Sequence, residues 1–315
     1  MPEAPRSIAK GRSLAELLNS RAVDCLAHNL SLVDRRFESE AFKQDALGGL
    51  TPLGVLDRGR HLAHVLRKHL PHKYSDAIEI LLASLTPPLD GTQKLGLAVF
   101  FYLPHVSYVA EYGLDAENNG GEDPFEVSMR AQYEITRRFS AEFSMRPFLT
   151  RFQERTLDRL VEWTRDGGPH VRRLCCEGSR PRLPWAMRIP AFVADPRPTL
   201  PILEALKDDP SLYVRRSVAN HLGDIAKDHA GLAFGISERW LSGASEERKW
   251  VIRHAVRHPA KKAVWSWRRR PPRRTAALPG ALPRPPRYSP KPPAASGASS
   301  GSYATRADSG FIPST

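Results

Sequence analysis

Five arginines recur where a helical chain would bring them into register. They are Arg172 and Arg173 in Val171-Arg172-Arg173, Arg215 and Arg216 in Val214-Arg215-Arg216, and Arg253 in Val251-Ile252-Arg253. A guanidinium stays charged at any physiological pH and presents a fork of donors that fits phosphate oxygens. One such residue alone is best read as part of a solvated helix face paired with nearby acids. Repetition at equivalent positions changes that reading, because a stripe of arginines can neutralise successive phosphates of a nucleic acid with salt-sensitive affinity.

The elements that must carry these arginines are helix pairs. Each run follows a turn-rich segment, Asp166-Gly167-Gly168-Pro169, Asp208-Asp209-Pro210 or Ser242-Gly243-Ala244-Ser245, and successive runs are offset by 43 and 37 residues. That period is close to the roughly 40 to 47 residues of HEAT-type repeats. Stacked helix pairs form an α-solenoid whose second helices line one concave surface. Elsewhere apolar residues recur at three- and four-residue spacing with no sustained alternation, so the whole body reads as all-α. Leu14, Leu17 and Leu18 begin a first apolar face, and His61 to Leu70 and Tyr74 to Leu85 form a helix pair punctuated by Pro71 and Pro87-Pro88. The run from Asn118 to Pro124 is a turn-rich loop and a candidate lid or insertion, followed by helical spacing from Phe125 to Phe143 that should end at Pro147.

Composition narrows the function. The chain has 315 residues, 41% hydrophobic and 26% charged, with a net charge of +13; this is a soluble globular composition with room for a core and a taste for polyanions. Much of the charge is terminal: from Trp265 onward there are ten prolines, nine Lys or Arg and a single acid, Asp308. No core can form from that segment, so residues 263–315 are expected to be a Pro/Arg/Ala-rich disordered tail behind a domain spanning 1–262. Cys25, Cys175 and Cys176 are too few for a disulfide framework or a four-cysteine zinc site, and the start lacks an apolar signal core, so the protein is expected to be cytoplasmic with no membrane association. There is no phosphate-binding Gly-Lys-Ser/Thr loop, no His-Glu-x-x-His pattern and no nucleophile elbow. His61, His64 and His69 are better suited to surface or core duty than to metal ligation, and no cofactor is expected.

Two longer strings are more specific. Glu177-Gly-Ser-Arg-Pro-Arg-Leu-Pro-Trp185, followed by Tyr213-Val-Arg-Arg-Ser-Val-Ala-Asn-His-Leu-Gly-Asp224-Ile-Ala-Lys-Asp228, resembles the AlkC branch of the HEAT-like-repeat alkylpurine DNA glycosylases. Ile135-Thr-Arg-Arg-Phe-Ser-Ala-Glu142-Phe-Ser-Met-Arg-Pro-Phe148 resembles the helix before that family's first well-marked repeat. The resemblance spans residues 10–262. It implies hydrolysis of the N-glycosidic bond to cationic methylated bases, 3-methyladenine and also 3-methylcytosine, in alkylated double-stranded DNA, by a monomer that captures the lesion without a deep base pocket. Three carboxylates match the family's active-site positions: Asp224 as the catalytic group beside the deoxyribose, with Glu142 and Glu177 supporting lesion and sugar binding. Trp185 matches an aromatic position near the lesion, where an electron-rich face would meet a cationic base.

Each of these residues also has an ordinary explanation. Arg138 with Glu142 is an i,i+4 pair, and Glu177 with Arg180 and Asp224 with Lys227 are i,i+3 pairs. Trp185, between Pro184 and Met187, could fill a gap between repeats. Arg180 and Arg182 either clamp phosphates near the reactive sugar or neutralise Glu177. The resemblance also breaks at Arg257-His258-Pro259-Ala260-Lys261-Lys262, after which Trp265-Ser266-Trp267 and a proline-rich run replace the family's further helical segment. A frameshift, in the gene or its sequence record, is the expected origin of that terminus. The sequence thus points to a base-excision repair glycosylase, with a noncatalytic HEAT-repeat scaffold or decayed glycosylase that binds DNA or protein as the alternative.

Overall fold

Fourteen α-helices follow one another in the computed structural model, which describes residues 1–5, 13–88 and 96–268 and, among these, contains no strand. They are α1 (Ser20–Val33), α2 (Ser39–Leu47), α3 (Val55–His69), α4 (Tyr74–Ala83), α5 (Leu103–Tyr112), α6 (Phe125–Thr136), α7 (Glu142–Arg151), α8 (Gln153–Trp163), α9 (Pro169–Gly178), α10 (Pro190–Ala194), α11 (Leu200–Leu206), α12 (Leu212–Asp228), α13 (Ala230–Leu241) and α14 (Glu246–Arg268). Of the tail expected over 263–315, residues 263–268 fall within α14 instead, and the rest, with the frameshift expectation attached to it, lies outside the described residues.

The anticipated repeats are helix pairs of an α-solenoid: α8 with α9, α11 with α12, and α13 with α14. Val171, Val214 and Val251 are each fully buried, so the first residue of every basic run points into the core and fixes the rotation of its helix. The turns that start α9 and α12 share a mechanism. Asp166 Oδ1 accepts from Gly168 N at 2.7 Å, and Asp209 Oδ1 accepts from Ser211 N at 2.8 Å, aspartate turns that reverse the chain just before each second helix. α12 packs on α9 and α13, and α9 packs in turn on α7, α8 and α11.

Two expectations are corrected. The helix foreseen from Phe125 to Phe143 is broken: α6 ends at Thr136, and Glu142 opens a new helix that runs through Pro147 rather than stopping there. Pro147 lacks the N–H that would bond the Phe143 carbonyl, a local cost that the burial of Met145, Phe148 and Leu149 outweighs. The loop from Asn118 to Pro124 is a latched corner rather than a lid. Buried Asn119 accepts from Ser75 N at 2.9 Å and donates to Glu122 O at 3.2 Å, while Asp123 is held by Arg155 and Glu122 by Lys73. Left-handed backbone at Gly120 and Gly121, which a side chain would strain, closes the turn.

Candidate active site

Glu142, Glu177 and Asp224 come from three helices and are joined by cations into one chain of alternating charge. Glu142 Oε2 accepts from Arg173 Nη1 at 3.2 Å, and Arg173 Nη2 lies 3.7 Å from Glu177 Oε1. Glu177 Oε1 also accepts from Arg180 Nη1 at 2.6 Å, while Arg180 Nε donates to Asp224 Oδ2 at 2.8 Å. Lys227 Nζ completes the series by donating to Asp224 Oδ1 at 2.7 Å. Both nearest-neighbour pairs read from the sequence on α9 and α12 therefore form. The Arg138–Glu142 pair does not: with the helix broken before Glu142, Arg138 turns back to Glu134 Oε2 at 2.6 Å and Thr86 O at 2.8 Å.

Nearly all of this chain is out of water. Asp224 is 1% exposed, and Glu177, Arg173 and Arg180 are buried as well. Burial alone works against a charged Glu177, yet the Arg180 and Arg173 guanidinia and the Ser217 hydroxyl, 2.6 Å from Oε2, pull its pKa down to about 2. Glu142 is shifted the other way, raised by burial and by the neighbouring Glu177 charge against the pull of Arg173. Arg173 is further steadied by Ser140 Oγ at 2.7 Å and by the Tyr213 ring 4.9 Å beneath it.

Trp185 sits on the loop between α9 and α10, 45% exposed. It does not fill an inter-repeat gap. Its φ of 65° places a bulky residue in left-handed backbone, a conformation that costs about 1–3 kcal/mol and persists only where the surroundings enforce it. Arg146 supplies the enforcement. This fully buried side chain donates to Gly178 O at 3.2 Å, Arg180 O at 2.8 Å and Pro181 O at 3.4 Å, and its Nε also bonds Met187 O. One guanidinium thus gathers both ends of the loop that carries Arg180 at its base and Trp185 at its tip. Burial, with Arg180 nearby, lowers the Arg146 pKa to about 10. Its only legible signal was position, between Met145 and Phe148 on the apolar face of α7.

The expected stripe of phosphate-binding arginines divides into different duties. Arg172 is bound to Asp209 at 2.6 and 3.1 Å and to the carbonyls of Asp166 and Gly167 at 2.8 and 3.0 Å. Arg215 repeats the pattern one repeat later, donating to Asp209 O at 2.7 Å and Pro210 O at 2.9 Å. These two are corrected to turn braces, because their helix position points them back along the turn rather than out from the surface. Arg173 and Arg180 face the carboxylates, and Arg182 pairs with Asp228 at 2.5 and 2.8 Å, not with Glu177. Arg216 and Arg253 retain access to solvent, and Arg216 has no polar partner among the described residues.

A small cavity of about 60 Å³ borders Asp224 on the side of α14, walled by Arg180, Asn220, Lys227, His254 and Arg257. It is far below the roughly 300–1,000 Å³ of ordinary small-molecule pockets. Among the described residues no group of three or more His, Cys, Asp and Glu could hold a metal, and no helix is long and apolar enough to cross a membrane.

Fold and site together define a class: a HEAT-like helical solenoid with a buried row of carboxylates bridged by cations. No family model matches the chain. It is 37% identical to the alkylpurine DNA glycosylase AlkC of Pseudomonas fluorescens, whose structure was solved bound to DNA containing an abasic site analogue, with a TM-score of 0.70 over 80% of this chain and 66% of that one. It is also 36% identical over 250 residues to the uncharacterized protein YhaZ of Bacillus subtilis (strain 168), across 79% of this chain and 65% of that protein. The chain therefore spans just under two thirds of the length of these relatives, and the family it resembles is that of AlkC.

Proposed function

We propose that the protein is a DNA alkylation repair glycosylase that hydrolyses the N-glycosidic bond of cationic methylated bases, 3-methyladenine and 3-methylcytosine, in duplex DNA. The observation that carries this reading is the buried chain of three carboxylates and three cations, with a strained, exposed tryptophan on the loop attached to it. A scaffold has no use for such a row: replacing a buried ion pair by apolar packing is often neutral or stabilising, so charges kept out of water point to a site rather than to stability.

The chemistry asks little of a general acid. When the bond between C1′ and the base nitrogen breaks, the electron pair leaves with the base and cancels its positive charge, so the leaving group departs neutral. The sugar becomes an oxocarbenium-like cation, as in glycoside hydrolysis. Asp224 supplies negative charge where that cation develops and orients the water whose oxygen forms the new bond to C1′, a proton being released. Glu142 and Glu177 hold the arginines that fix Asp224 and extend the negative field toward the lesion. Trp185 offers a π face to the cationic base, which is attracted before the bond breaks and released once it is neutral. The small cavity beside Asp224 suits this scheme, since lesion choice then rests on charge and on a weak glycosidic bond rather than on a base-sized pocket.

The test is chromatographic detection of free 3-methyladenine and 3-methylcytosine released from methylated duplex DNA by the full chain. Wild-type protein is expected to release base above a no-enzyme control, and Asp224→Asn to lose about 10²-fold or more of the rate. Equal release by both would remove Asp224 from the reaction, and no release by folded wild-type protein would overturn the glycosylase reading.

A further inference from the structure

The cavity against Asp224 has walls that an enzyme site for a cationic base would not choose. Arg180, Lys227 and Arg257 all border it, against the single carboxylate of Asp224. Arg180 is committed, since it is buried and bonded to both Glu177 and Asp224. Lys227 and Arg257 are not. Lys227 is 42% exposed and bound through one 2.7 Å contact. Arg257, also exposed, has no carboxylate partner among the described residues; its one bond is to His254 O at 3.3 Å on its own helix. It instead faces another cation, and partial burial together with the Arg180 charge holds its pKa below the usual arginine value. Three cations against the one carboxylate of Asp224 leave this wall with positive charge in excess, which makes a place for an anion.

The backbone is shaped to build this place. Gly223 lies mid-helix in α12, where it costs about 1 kcal/mol relative to alanine. A Cβ there would come within 3.2 Å of Ala255 O, so its absence lets α14 lie close against α12, and Arg257 and Lys227 line the same cavity. Asn220 Oδ1 meets His254 Nε2 at 3.2 Å on the far wall, and Trp250 stacks on the same imidazole at 4.9 Å. The space is too small for a nucleobase and suits one tetrahedral oxyanion.

We propose that this cavity is a backbone-phosphate site, in which a phosphodiester of the damaged strand is bound jointly by Arg257 and Lys227 and draws Lys227 off Asp224 Oδ1. The inference rests on the glycosylase reading and adds a device to it. In the DNA-free protein both carboxylate oxygens of Asp224 are occupied; docking of the phosphate frees one of them toward the sugar while Arg180 keeps hold of the other. The reactive carboxylate is therefore opened by its own substrate.

Binding of the full chain to duplex DNA carrying an uncleavable abasic-site analogue tests this without requiring turnover. Titrations over a range of salt are expected to show that Arg257→Gln and Lys227→Gln each weaken binding about tenfold and each reduce the slope of log K against log salt by about one unit. Arg257→Lys should restore most of the slope, and Arg36→Gln, on the turn after α1, should leave it unchanged. Because both residues hold the same phosphate, the double variant is expected to lose less than the two single losses combined. An unchanged slope in Arg257→Gln, in protein whose melting temperature matches wild type, would overturn the site; strictly additive losses would overturn the shared phosphate. Base release is measured separately, so a wild type that binds with the predicted slope differences but releases no base would sink the glycosylase reading and leave the phosphate site standing.

Discussion

Arg172 and Arg173 are neighbours in sequence and opposites in structure. Arg172 joins an outer row that braces the repeat turns, matched by Arg215 one repeat on. Arg173 joins an inner row with Arg180, matched only to the carboxylates. The outer row stabilises the stacking of repeats. The inner row holds three acids close together out of water, which stability alone would not favour. A single kind of residue thus braces the turns on one side of the helix and faces carboxylates on the other, and about 100° of helical rotation per residue is all that separates them.

The contrast is most sharply broken at Arg180. Replacing it with methionine removes the cation that bridges Glu177 and Asp224 and leaves them only Arg173, Ser217 and Lys227, and a loss of about 3–5 kcal/mol in urea unfolding is expected, since breaking a buried pair is strongly destabilising. A loss under about 1 kcal/mol would mean that the acids of the inner row are not charged as a set.

The inner region should also betray itself by pH. His221 is fully buried beneath the row, bonded to Cys176 O at 3.0 Å and Thr199 Oγ1 at 3.2 Å, and burial pulls its pKa from 6.5 to about 4. As pH falls the unfolded chain takes up this proton first, so the contribution of His221 to stability is complete above pH 6.5 and is lost between there and about 4. The amount is about 3 kcal/mol at about 1.4 kcal/mol per pH unit. His105, also buried, is lowered to about 4 in the same way. Thermal melts of His221→Gln should therefore show roughly half the wild-type decline across that window; an unchanged decline would place the acid sensitivity elsewhere.

The smallest effects separate the two rows most cleanly. Arg172→Met leaves buried Asp209 without its guanidinium and should cost about 1–3 kcal/mol of stability, with the salt dependence of DNA binding unaltered. Arg216→Gln should change stability by no more than about 0.5 kcal/mol, while lowering the salt slope by about one unit. The reverse pattern in these two variants would exchange the assignments of brace and phosphate contact.

Much of this was legible in local sequence. The Val-Arg-Arg runs, their turns and their spacing give the repeats, because buried valines at a fixed period require helices that stack. The pairs Glu177–Arg180 and Asp224–Lys227 were also legible, since a separation of three residues, within a helix or across its last turn, is a local geometry. Arg138–Glu142 failed for the same reason in reverse: the i,i+4 rule presumes an unbroken helix, and the chain breaks at residues 137–141. Arg146 is not legible in sequence, because an arginine on an apolar face has no local partner. All its acceptors lie 32 to 41 residues downstream. The lid expected from Asn118 to Pro124 was a sound reading of its turn residues, but turn composition does not tell a mobile loop from one latched by Ser75, Lys73 and Arg155.

By itself, then, the sequence determined the helical class, the repeat period, the basic balance and the identity of the charged groups, all of which follow from side-chain type and short-range spacing. Tertiary structure alone decided which arginine braces a turn and which confronts a carboxylate, that Asp224 is held at both oxygens, and that Arg257 shares a cavity wall with Arg180 and Lys227. The reason is electrostatic and geometric at once. A charge acquires its role from partners brought near it in a place water has left, and in this fold those partners arrive from helices some thirty to forty-five residues away.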